Sequence, residues 1–306
     1  MNICHTSALV LLCALSICGC NQDNLPSQGP QYGKTPQQRA TRNYLLAVHP
    51  LHNPQKLIQT YQPLADHLSK QFNAATFEVE PSRDYSSFEA KIRAREPHFL
   101  LPNPWQTLEA MKCGYTVIAM AGRSDDFKGI FIIRRDSLIT QPSDLKGKAV
   151  SYPAATALAA CIMPQYFLHK QGINVTTQIE NRYVGSQESS IMNVYLGNVA
   201  AGATWPRPWR SFQKEHPKEA AGLKVIWETP HLINNSFMVR NDVPAEIREQ
   251  VRSQLLQLHT TPEGRTILAE METDRFYAAS DVDYEVVRRY VAQFEKDVRI
   301  VDGGGK

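Results

Sequence analysis

From Tyr44 to Pro54 the chain reads YLLAVHPLHNP, a stretch with a clear structural signal. Its first five residues form an apolar run that stops at a His-Pro pair, as a buried strand does. Asn53 suits a helix N-cap, and Pro54 suits the first helical turn. Apolar residues then recur at helical spacing as far as Phe72. The stretch therefore predicts a strand, a short loop and a helix in succession.

The rest of the chain repeats this alternation. Ser86 and Glu89 form a capping-box pattern for a helix ending near Arg95. The short link between apolar strands 116–121 and 129–133 predicts antiparallel neighbours or a crossing between lobes. Other strands are expected at 77–79, 99–101, 149–152, 182–184, 200–204, 225–227 and 237–239, and helices at 104–112, 157–170, 186–196, 245–258, 263–271 and 284–294. This alternation predicts an α/β protein with mainly parallel sheets.

The composition is that of a globular protein. The chain has 306 residues, 42% of them hydrophobic and 21% charged, enough for one large domain or two lobes. Lys plus Arg exceed Asp plus Glu by 33 − 30 = 3, and the charges are scattered, so we expect no nucleic-acid partner. Beyond the first twenty residues only Cys113 and Cys161 remain, either as a pair or as free thiols.

The first twenty residues have the pattern of a targeting signal. The apolar run from Ala8 to Ile17 is too short for a bilayer, which takes about 20 apolar residues. The run ends in Ile-Cys-Gly-Cys, which resembles a bacterial lipoprotein cleavage box with Cys20 as the lipidated residue. An uncleaved anchor and a buried helix are the alternatives. We predict a signal peptide at residues 1–20 and a flexible tether at residues 21–42.

Motifs of common enzymes and metal sites are missing from the sequence. The chain has no Gly-x-Ser-x-Gly, no Gly-rich phosphate loop, no His-Glu-x-x-His and no Cys-x-x-Cys. His49 and His52 have no third metal ligand nearby, which favours loop packing over ligand contact. We therefore predict no catalytic residue, no metal site and no cofactor.

Polar and aromatic residues follow several predicted strands, where ligands bind in open α/β sheets. The loops after residues 152 and 184 lead into helices, whose free N–H groups and hydroxyl side chains suit an anion. The candidate ligand-binding residues are Tyr85, Asn103, Trp105, Tyr152, Thr156, Ser186, Gln187, Glu188 and Trp205.

Several of these candidates also have a purely structural interpretation. Tyr85 and Trp105 either line a cleft or pack between sheet and helix. Thr156 and Ser186 either hold an anion or only cap their helices. Glu188 either binds an amine or is a solvated acid that the helix dipole favours in the first turn. The sequence leaves these alternatives open.

Four segments together resemble one known family. They are Tyr-x-Pro-Leu at 61–64, Asp-Tyr at 84–85, a charged turn at 135–137 followed by Asp-Leu-Lys-Gly-Lys at 144–148, and Thr-Pro-Glu-Gly at 261–264. From about Tyr44 to Glu295 the chain resembles the phosphate, phosphite and phosphonate binding proteins of ABC importers. The resemblance implies the bilobal type 2 periplasmic binding protein fold, with two mainly parallel-sheet lobes and a two-segment hinge. It also implies that Tyr85 lies in the ligand cleft.

The predicted anion loop departs from the pattern of that family. Where the family has Ser-Thr-Ser-Gly, residues 155–158 are Ala-Thr-Ala-Leu, and a His expected after Gly-Ser is Gln187. Each hydrogen-bond partner lost is worth about 0.5 to 3 kcal/mol if desolvated. Trp205 and Arg207 supply aromatic and cationic groups instead, which favours a larger or less phosphate-like ligand.

The sequence thus predicts a monomeric, lipid-anchored solute-binding protein that faces the periplasm. One lobe would combine residues 43–122 with 236–300, and residues 123–235 would form the other. A small oxyanion such as phosphate, phosphite or phosphonate would be captured between the lobes and delivered to an ABC permease. The alternatives are a ligand-sensing module for a membrane receptor or kinase and, less favoured, an enzyme on the same fold.

Overall fold

The computed structural model describes residues 41–302, so the predicted signal peptide, Cys20 and nearly all of the predicted tether lie outside the described residues. The strands are β1 (Arg42–Val48), β2 (Ala75–Glu80), β3 (Phe99–Leu101), β4 (Tyr115–Ala121), β5 (Ile130–Arg134), β6 (Ala149–Tyr152), β7 (Glu180–Tyr183), β8 (Ala201–Thr204), β9 (Leu223–Glu228), β10 (Ser236–Arg240) and β11 (Phe276–Tyr277). The α-helices are α1 (Pro54–Lys70), α2 (Tyr85–Ala94), α3 (Pro104–Lys112), α4 (Met163–Lys170), α5 (Gln187–Tyr195), α6 (Pro206–Glu215), α7 (Pro217–Ala221), α8 (Ala245–Gln257), α9 (Pro262–Glu270) and α10 (Glu285–Asp297).

The strands form two mixed sheets. The first has the order β11-β4-β10-β3-β1-β2, in which β1 is parallel to β2 and β3 and the other pairs are antiparallel. The second has the order β7-β6-β8-β5-β9, in which β6 is parallel to both neighbours and β5 is antiparallel to both of its own. The sheets are mixed and not mainly parallel, because the strands that flank each passage between the sheets pair antiparallel, β4 with β10 and β5 with β9.

The chain passes between the two sheets twice, in two segments that lie side by side. The first crossing runs from β4 to β5 and the second from β9 to β10. The Ala121 amide donates to the Asn235 carbonyl at 2.8 Å, and Nδ2 of Asn234 donates to the Arg123 carbonyl at 2.8 Å. Of the two alternatives for the link between residues 121 and 129, the structure shows the crossing, because β4 and β5 belong to different sheets. The lobe boundaries drawn from the sequence stay a prediction.

Short polar side chains begin the helices that carry the candidate site. Asn53 caps α1 as expected, since its Oδ1 accepts from the amide of Lys56 at 3.0 Å. The cap of α2 is Asp84, which accepts from the Ser87 amide at 2.8 Å, so the predicted capping box at Ser86 is wrong. Asp84 lies in extended backbone, as an N-cap requires, whereas residue 86 is already helical.

The segment after β6 is less regular than the sequence suggests. A π-helix, Leu158–Ile162, precedes α4, where one continuous helix was expected. π-Helical turns of this kind are frequent at functional sites. The sequence analysis also missed α6, whose first turn holds Pro206 and Pro208, residues that a first helical turn tolerates and an interior does not.

Aromatic side chains organise the core of the first sheet. Tyr44, Phe77 and Phe99 contact one another with ring centroids 5.4 to 5.8 Å apart, and Phe237 continues the row 6.1 Å from Phe99. Tyr44 and Phe77 are cross-strand partners of β1 and β2, so register and ring packing agree. No helix within residues 41–302 is long and apolar enough to cross a membrane.

Candidate functional site

A small cavity lies where the ends of strands from both sheets face each other. Its volume is about 10 Å³, roughly the space of one water molecule. The lining comprises His49, Tyr85, Asn103, Phe127, Ala157, Leu158, Ala159, Ala160, Gln187 and Trp205. Anything larger than water therefore requires the surrounding loops to separate before it enters.

One wall of the cavity is a polar bridge between the two sheets. Tyr85 begins α2, which links β2 to β3, and Gln187 begins α5, which links β7 to β8. Nε2 of Gln187 donates to the Tyr85 hydroxyl at 3.0 Å, and its Oε1 accepts from the Thr204 hydroxyl at 2.8 Å. All three residues are buried, and burial raises the pKa of Tyr85, so its hydroxyl is neutral. Each side-chain polar atom of the bridge therefore has a hydrogen-bond partner.

A glycine brings α5 close enough to β8 for this bridge to form. A Cβ on Gly202 would lie 2.5 Å from the Ser190 carbonyl oxygen, closer than any real Cβ approaches. The Ser190 hydroxyl also donates to the carbonyl of Ala203 at 2.8 Å. Close packing of the helix on this strand places the Gln187 side chain beside Thr204.

The Thr156 hydroxyl is engaged with a buried acid. It donates to Oε1 of Glu89 at 2.6 Å, and the Gln106 amide donates to the same oxygen at 3.0 Å. Burial raises the pKa of Glu89, and these two hydrogen bonds act in the opposite direction. In this arrangement the hydroxyl of Thr156 caps no helix and is committed to a carboxyl group.

Asn103 holds the loop that carries Thr156. Its Oδ1 accepts from the amides of Trp105 and Gln106 at 2.9 and 3.2 Å, which caps α3. Its Nδ2 donates to the Thr156 carbonyl at 3.3 Å. One amide side chain thus starts a helix of the first sheet and contacts the loop after β6 of the second sheet.

His49 contributes an imidazole to the cavity. Its Nδ1 lies 3.0 Å from the carbonyl of Leu101, which makes Nδ1 the protonated nitrogen of a neutral ring. Burial lowers the pKa of His49 to about 4, and the charge of Arg207 acts in the same direction. At neutral pH this side of the cavity is therefore an uncharged imidazole.

Trp205 separates the cavity from a buried arginine. Its ring lies 5.4 Å from that of Phe127, and Cζ of Arg207 lies 5.0 Å from the Trp205 ring centroid. Arg207 is fully buried, and its Nη2 donates to the Ala121 carbonyl at 3.1 Å. The cation–π contact positions the guanidinium directly behind the cavity wall.

Four of the nine predicted ligand-binding residues line the cavity: Tyr85, Asn103, Gln187 and Trp205. Thr156 lies directly before the lining residue Ala157. Trp105 lines a different groove, between α3 and α10, and Tyr152 packs 6.0 Å from the ring of Tyr183.

Ser186 and Glu188 lie at the start of α5, where a helix cap and a first-turn acid were considered. Ser186 caps α5, accepting from the Ser189 amide at 3.1 Å. Glu188 lies in the first turn of that helix, with its Oε1 3.4 Å from Nε2 of His216.

Glu89, Phe127 and the cavity role of His49 were missed by the sequence analysis. Glu89 was interpreted as part of a helix cap, and His49 as a loop-packing residue. The available signals were an acid that falls on the buried face of a helix and a histidine directly after a buried strand. Among residues 41–302 no group of three or more His, Cys, Asp or Glu is placed to hold a metal, and Cys113 and Cys161 are free thiols.

Two mixed α/β sheets, linked by two crossings and facing each other across a cavity, form a bilobal α/β fold. Solved structures share this fold. The binding protein component of an ABC phosphonate transporter from Pseudomonas aeruginosa has a TM-score of 0.78 at 16% identity, over 84% of this chain and 88% of that protein. PhnD1 from Prochlorococcus marinus, in complex with methylphosphonate, has a TM-score of 0.76 at 19% identity, over 83% and 99% of the two chains.

Sequence comparison narrows the class to a family. Residues 46–284 match the model of the periplasmic substrate-binding protein of phosphonate ABC transporters. The chain is also 22% identical over 193 residues to a probable ABC transporter phosphite binding protein of Prochlorococcus marinus. That match covers 59% of this chain and 65% of the relative, slightly less than two thirds of its length. The chain belongs to the family of phosphonate ABC transporter substrate-binding proteins.

Proposed function

We propose that this chain is the substrate-binding component of an ABC importer and captures a small oxyanion of the phosphate, phosphite or phosphonate class. The observation that carries the proposal is the family match over residues 46–284, which includes the cavity bridged by Tyr85 and Gln187. Capture requires no chemistry on the ligand. An ABC permease would recognise the closed, loaded form.

The energy of closure comes from contacts that only the closed form makes. Tyr85 and Asn103 belong to the loops of the first sheet, whereas Gln187 and Trp205 belong to those of the second. A ligand that touches both sets stabilises the closed state by its differential affinity for that state. The two crossings act as the hinge, and the lobes are residues 43–122 with 236–300, and residues 123–235.

We further infer that the protein faces the periplasm as a monomer and is held at the membrane by a lipid on Cys20. The apolar run before Cys20 and the polar segment at 21–42 support this location. Mass spectrometry of the mature N-terminus should find a lipidated cysteine. Cys20→Ser should move the protein from the membrane fraction to the soluble fraction, and an unchanged distribution would refute the anchor.

Thermal unfolding with a ligand panel tests the main proposal. The panel is phosphate, phosphite, methylphosphonate, aminoethylphosphonate and sulfate. A ligand at 100 times its Kd stabilises the protein by about 2.7 kcal/mol, which gives a clear rise in Tm. Tyr85→Phe should weaken that rise. Tyr115→Phe is the matched control, because Tyr115 is also buried and hydrogen-bonded, to the Pro97 carbonyl, but does not line the cavity. No shift with any of the five ligands would reject this ligand class.

A further inference from the structure

The guanidinium of Arg207 is buried with most of its donors unpaired. The residue is 1% exposed, and within residues 41–302 neither Nε nor Nη1 has a hydrogen-bond partner. Nη2 donates to the Ala121 carbonyl, and the side-chain oxygen that contacts the guanidinium is the Tyr61 hydroxyl. Buried donors are almost always paired in folded proteins, so each exception needs a physical reason.

No carboxylate in the described part of the chain forms an ion pair with Arg207. The candidate is Asp126, whose charge acts on the pKa of Arg207, but both of its oxygens accept from Arg210, at 2.8 and 2.7 Å. Arg210 lies one helical turn further along α6 and also pairs with Glu272 at 3.1 Å. Two arginines of one helix thus differ completely in pairing, and the buried one has no counter-ion. A buried charge without a partner is costly to maintain.

The immediate surroundings of Arg207 offer donors and neutral rings. The Tyr61 hydroxyl is buried beside the Arg207 side chain. Burial raises the pKa of Tyr61, while the charge of Arg207 and a hydrogen bond from its side chain act in the opposite direction. Burial lowers the pKa of His52 to about 3, with Lys56, His49 and Arg207 acting in the same direction. An anion can accept hydrogen bonds from these donors and balance the charge of Arg207 at the same time.

Trp205 and His49 connect this cluster to the cavity. Both residues line the cavity, and the Trp205 ring packs against the guanidinium. The hydroxyls expected to receive an anion are engaged elsewhere, Thr156 with Glu89 and Ser186 with Ser189. The cavity lining from Ala157 to Ala160 is apolar. A buried positive charge therefore lies against Trp205, one of the residues that line the cavity.

We propose that Arg207 and Tyr61 form an anion subsite behind Trp205, which receives the charged group of the ligand when the Trp205 side chain swings aside. This inference rests on the proposed function. The anion accepts hydrogen bonds from the Arg207 guanidinium and from the proton of the Tyr61 hydroxyl, and it supplies the counter-ion that Arg207 lacks. The subsite replaces the hydroxyl-rich anion loop that the sequence lacks.

The test measures Kd by calorimetry for methylphosphonate, phosphite, inorganic phosphate and sulfate in three variants of the full protein. Arg207→Gln should weaken binding of the preferred anion by about 100-fold, and Tyr61→Phe by about 10-fold, since hydrogen bonds to charged groups are strong. Arg210→Gln is the matched control, with affinity within threefold of the wild type. Without ligand, Arg207→Gln should keep or raise the Tm, because it removes an unpaired buried charge, whereas Arg210→Gln should lower it.

The outcomes separate the subsite from the ligand class. Binding of an anion by the wild type and equally well by Arg207→Gln would overturn the subsite alone. A wild type that binds none of the four anions would overturn both the subsite and the ligand class. If Arg207→Gln does not fold, Tyr61→Phe and the charge-retaining Arg207→Lys decide. Unchanged affinity in both would assign Arg207 a structural role and overturn the subsite.

Discussion

Two polar regions border the same cavity and differ in how completely they are paired. In the bridge of Tyr85, Gln187 and Thr204, the Gln187 amide is hydrogen-bonded at both ends. In the cluster of Arg207 and Tyr61 beside Trp205, the buried guanidinium forms no ion pair with any carboxylate of the described residues. The side chains of both regions are buried to the same extent. Burial alone therefore does not explain why one region is paired and the other is not.

The two regions have different roles. The hydrogen bonds of the bridge stabilise the closed form, whereas the Arg207 cluster remains available to bind a ligand. A satisfied buried network stabilises one arrangement of the two sheets, and breaking it leaves groups unpaired. An unsatisfied buried charge lowers stability until a counter-ion arrives. Substitutions in the two regions should consequently have opposite effects on the ligand-free protein.

The largest expected effect comes from breaking the bridge. Gln187→Leu keeps the approximate volume but leaves the hydroxyls of Tyr85 and Thr204 buried without that partner. At 1 to 3 kcal/mol for each group, the free energy of unfolding should fall by about 4 kcal/mol. Urea unfolding measures the loss. Arg207→Met is the comparison from the other region and should cost less than about 1 kcal/mol, or stabilise. A larger loss for Arg207→Met would reverse the assignment of the two regions.

Acid should destabilise the protein through His49. The pKa of His49 is about 4 in the folded protein, below its ordinary value of 6.5, so the unfolded chain binds the proton more readily. The contribution of the neutral imidazole to the free energy of unfolding is fully present above pH 6.5. It is lost as the pH falls from 6.5 through 4, and the total loss is about 3 kcal/mol. His52, with a pKa of about 3, acts in the same direction.

Unfolding free energies between pH 7.5 and pH 4 measure this dependence. His49→Gln should flatten the curve by about 3 kcal/mol while leaving the contribution of His52 in place. A variant with the same pH dependence as the wild type would show that the buried imidazole is not the titrating group.

A smaller effect is expected at the first crossing. Gly122 has a φ of +88°, and a Cβ there would lie 3.1 Å from Nη2 of Arg207 and 3.2 Å from Nδ2 of Asn234. Gly122→Ala should cost about 2 kcal/mol, from backbone strain and crowding together. Gly185→Ala is the control, because its φ is +87° but nothing lies within 4 Å of the added Cβ. Equal losses in thermal melts of the two variants would mean that Arg207 does not crowd the crossing.

The smallest effect tests whether Ser186 is only a helix cap. Ser186→Ala should cost about 1 kcal/mol of stability, the ordinary value of an N-cap, and leave ligand affinity within twofold. Asp84→Ala, at the cap of α2, provides the reference for a cap of the same geometry. Calorimetric titration decides: a tenfold loss of affinity in Ser186→Ala at unchanged stability would assign the hydroxyl to the ligand.

Local signals predicted most of the elements. The helix Pro104–Lys112 and the strands Phe99–Leu101 and Ala149–Tyr152 have the bounds expected from the sequence. The helix starts that were predicted wrongly or missed also have local causes. Asp84 takes the cap that Ser86 was expected to provide, and prolines near the start of α6 concealed a helix. The antiparallel pairing of β4 with β10 involves strands more than a hundred residues apart in sequence, beyond the range of local patterns.

For the site, too, the sequence predicts which loops contribute residues but not which side chains come together. Tyr85, Asn103, Gln187 and Trp205 could be nominated because they follow strands, and the structure places all four around one cavity. Trp105 also follows a strand, yet it faces another groove. The sequence shows which residues lie in the loops at the ends of strands. The direction in which each of their side chains points depends on the packing of the neighbouring helix.

By itself, the sequence determined most of the order of strands and helices, the family resemblance and the loss of hydroxyls from the anion loop, because periodicity, caps and motifs are local. Only the tertiary structure decided that Thr156 meets Glu89 across 67 residues and Gln187 meets Tyr85 across 102. It also decided that Arg210 takes the carboxylates and leaves Arg207 without a counter-ion. Pairing of buried polar groups depends on which distant segments are packed together, and that is settled only when the two sheets face each other.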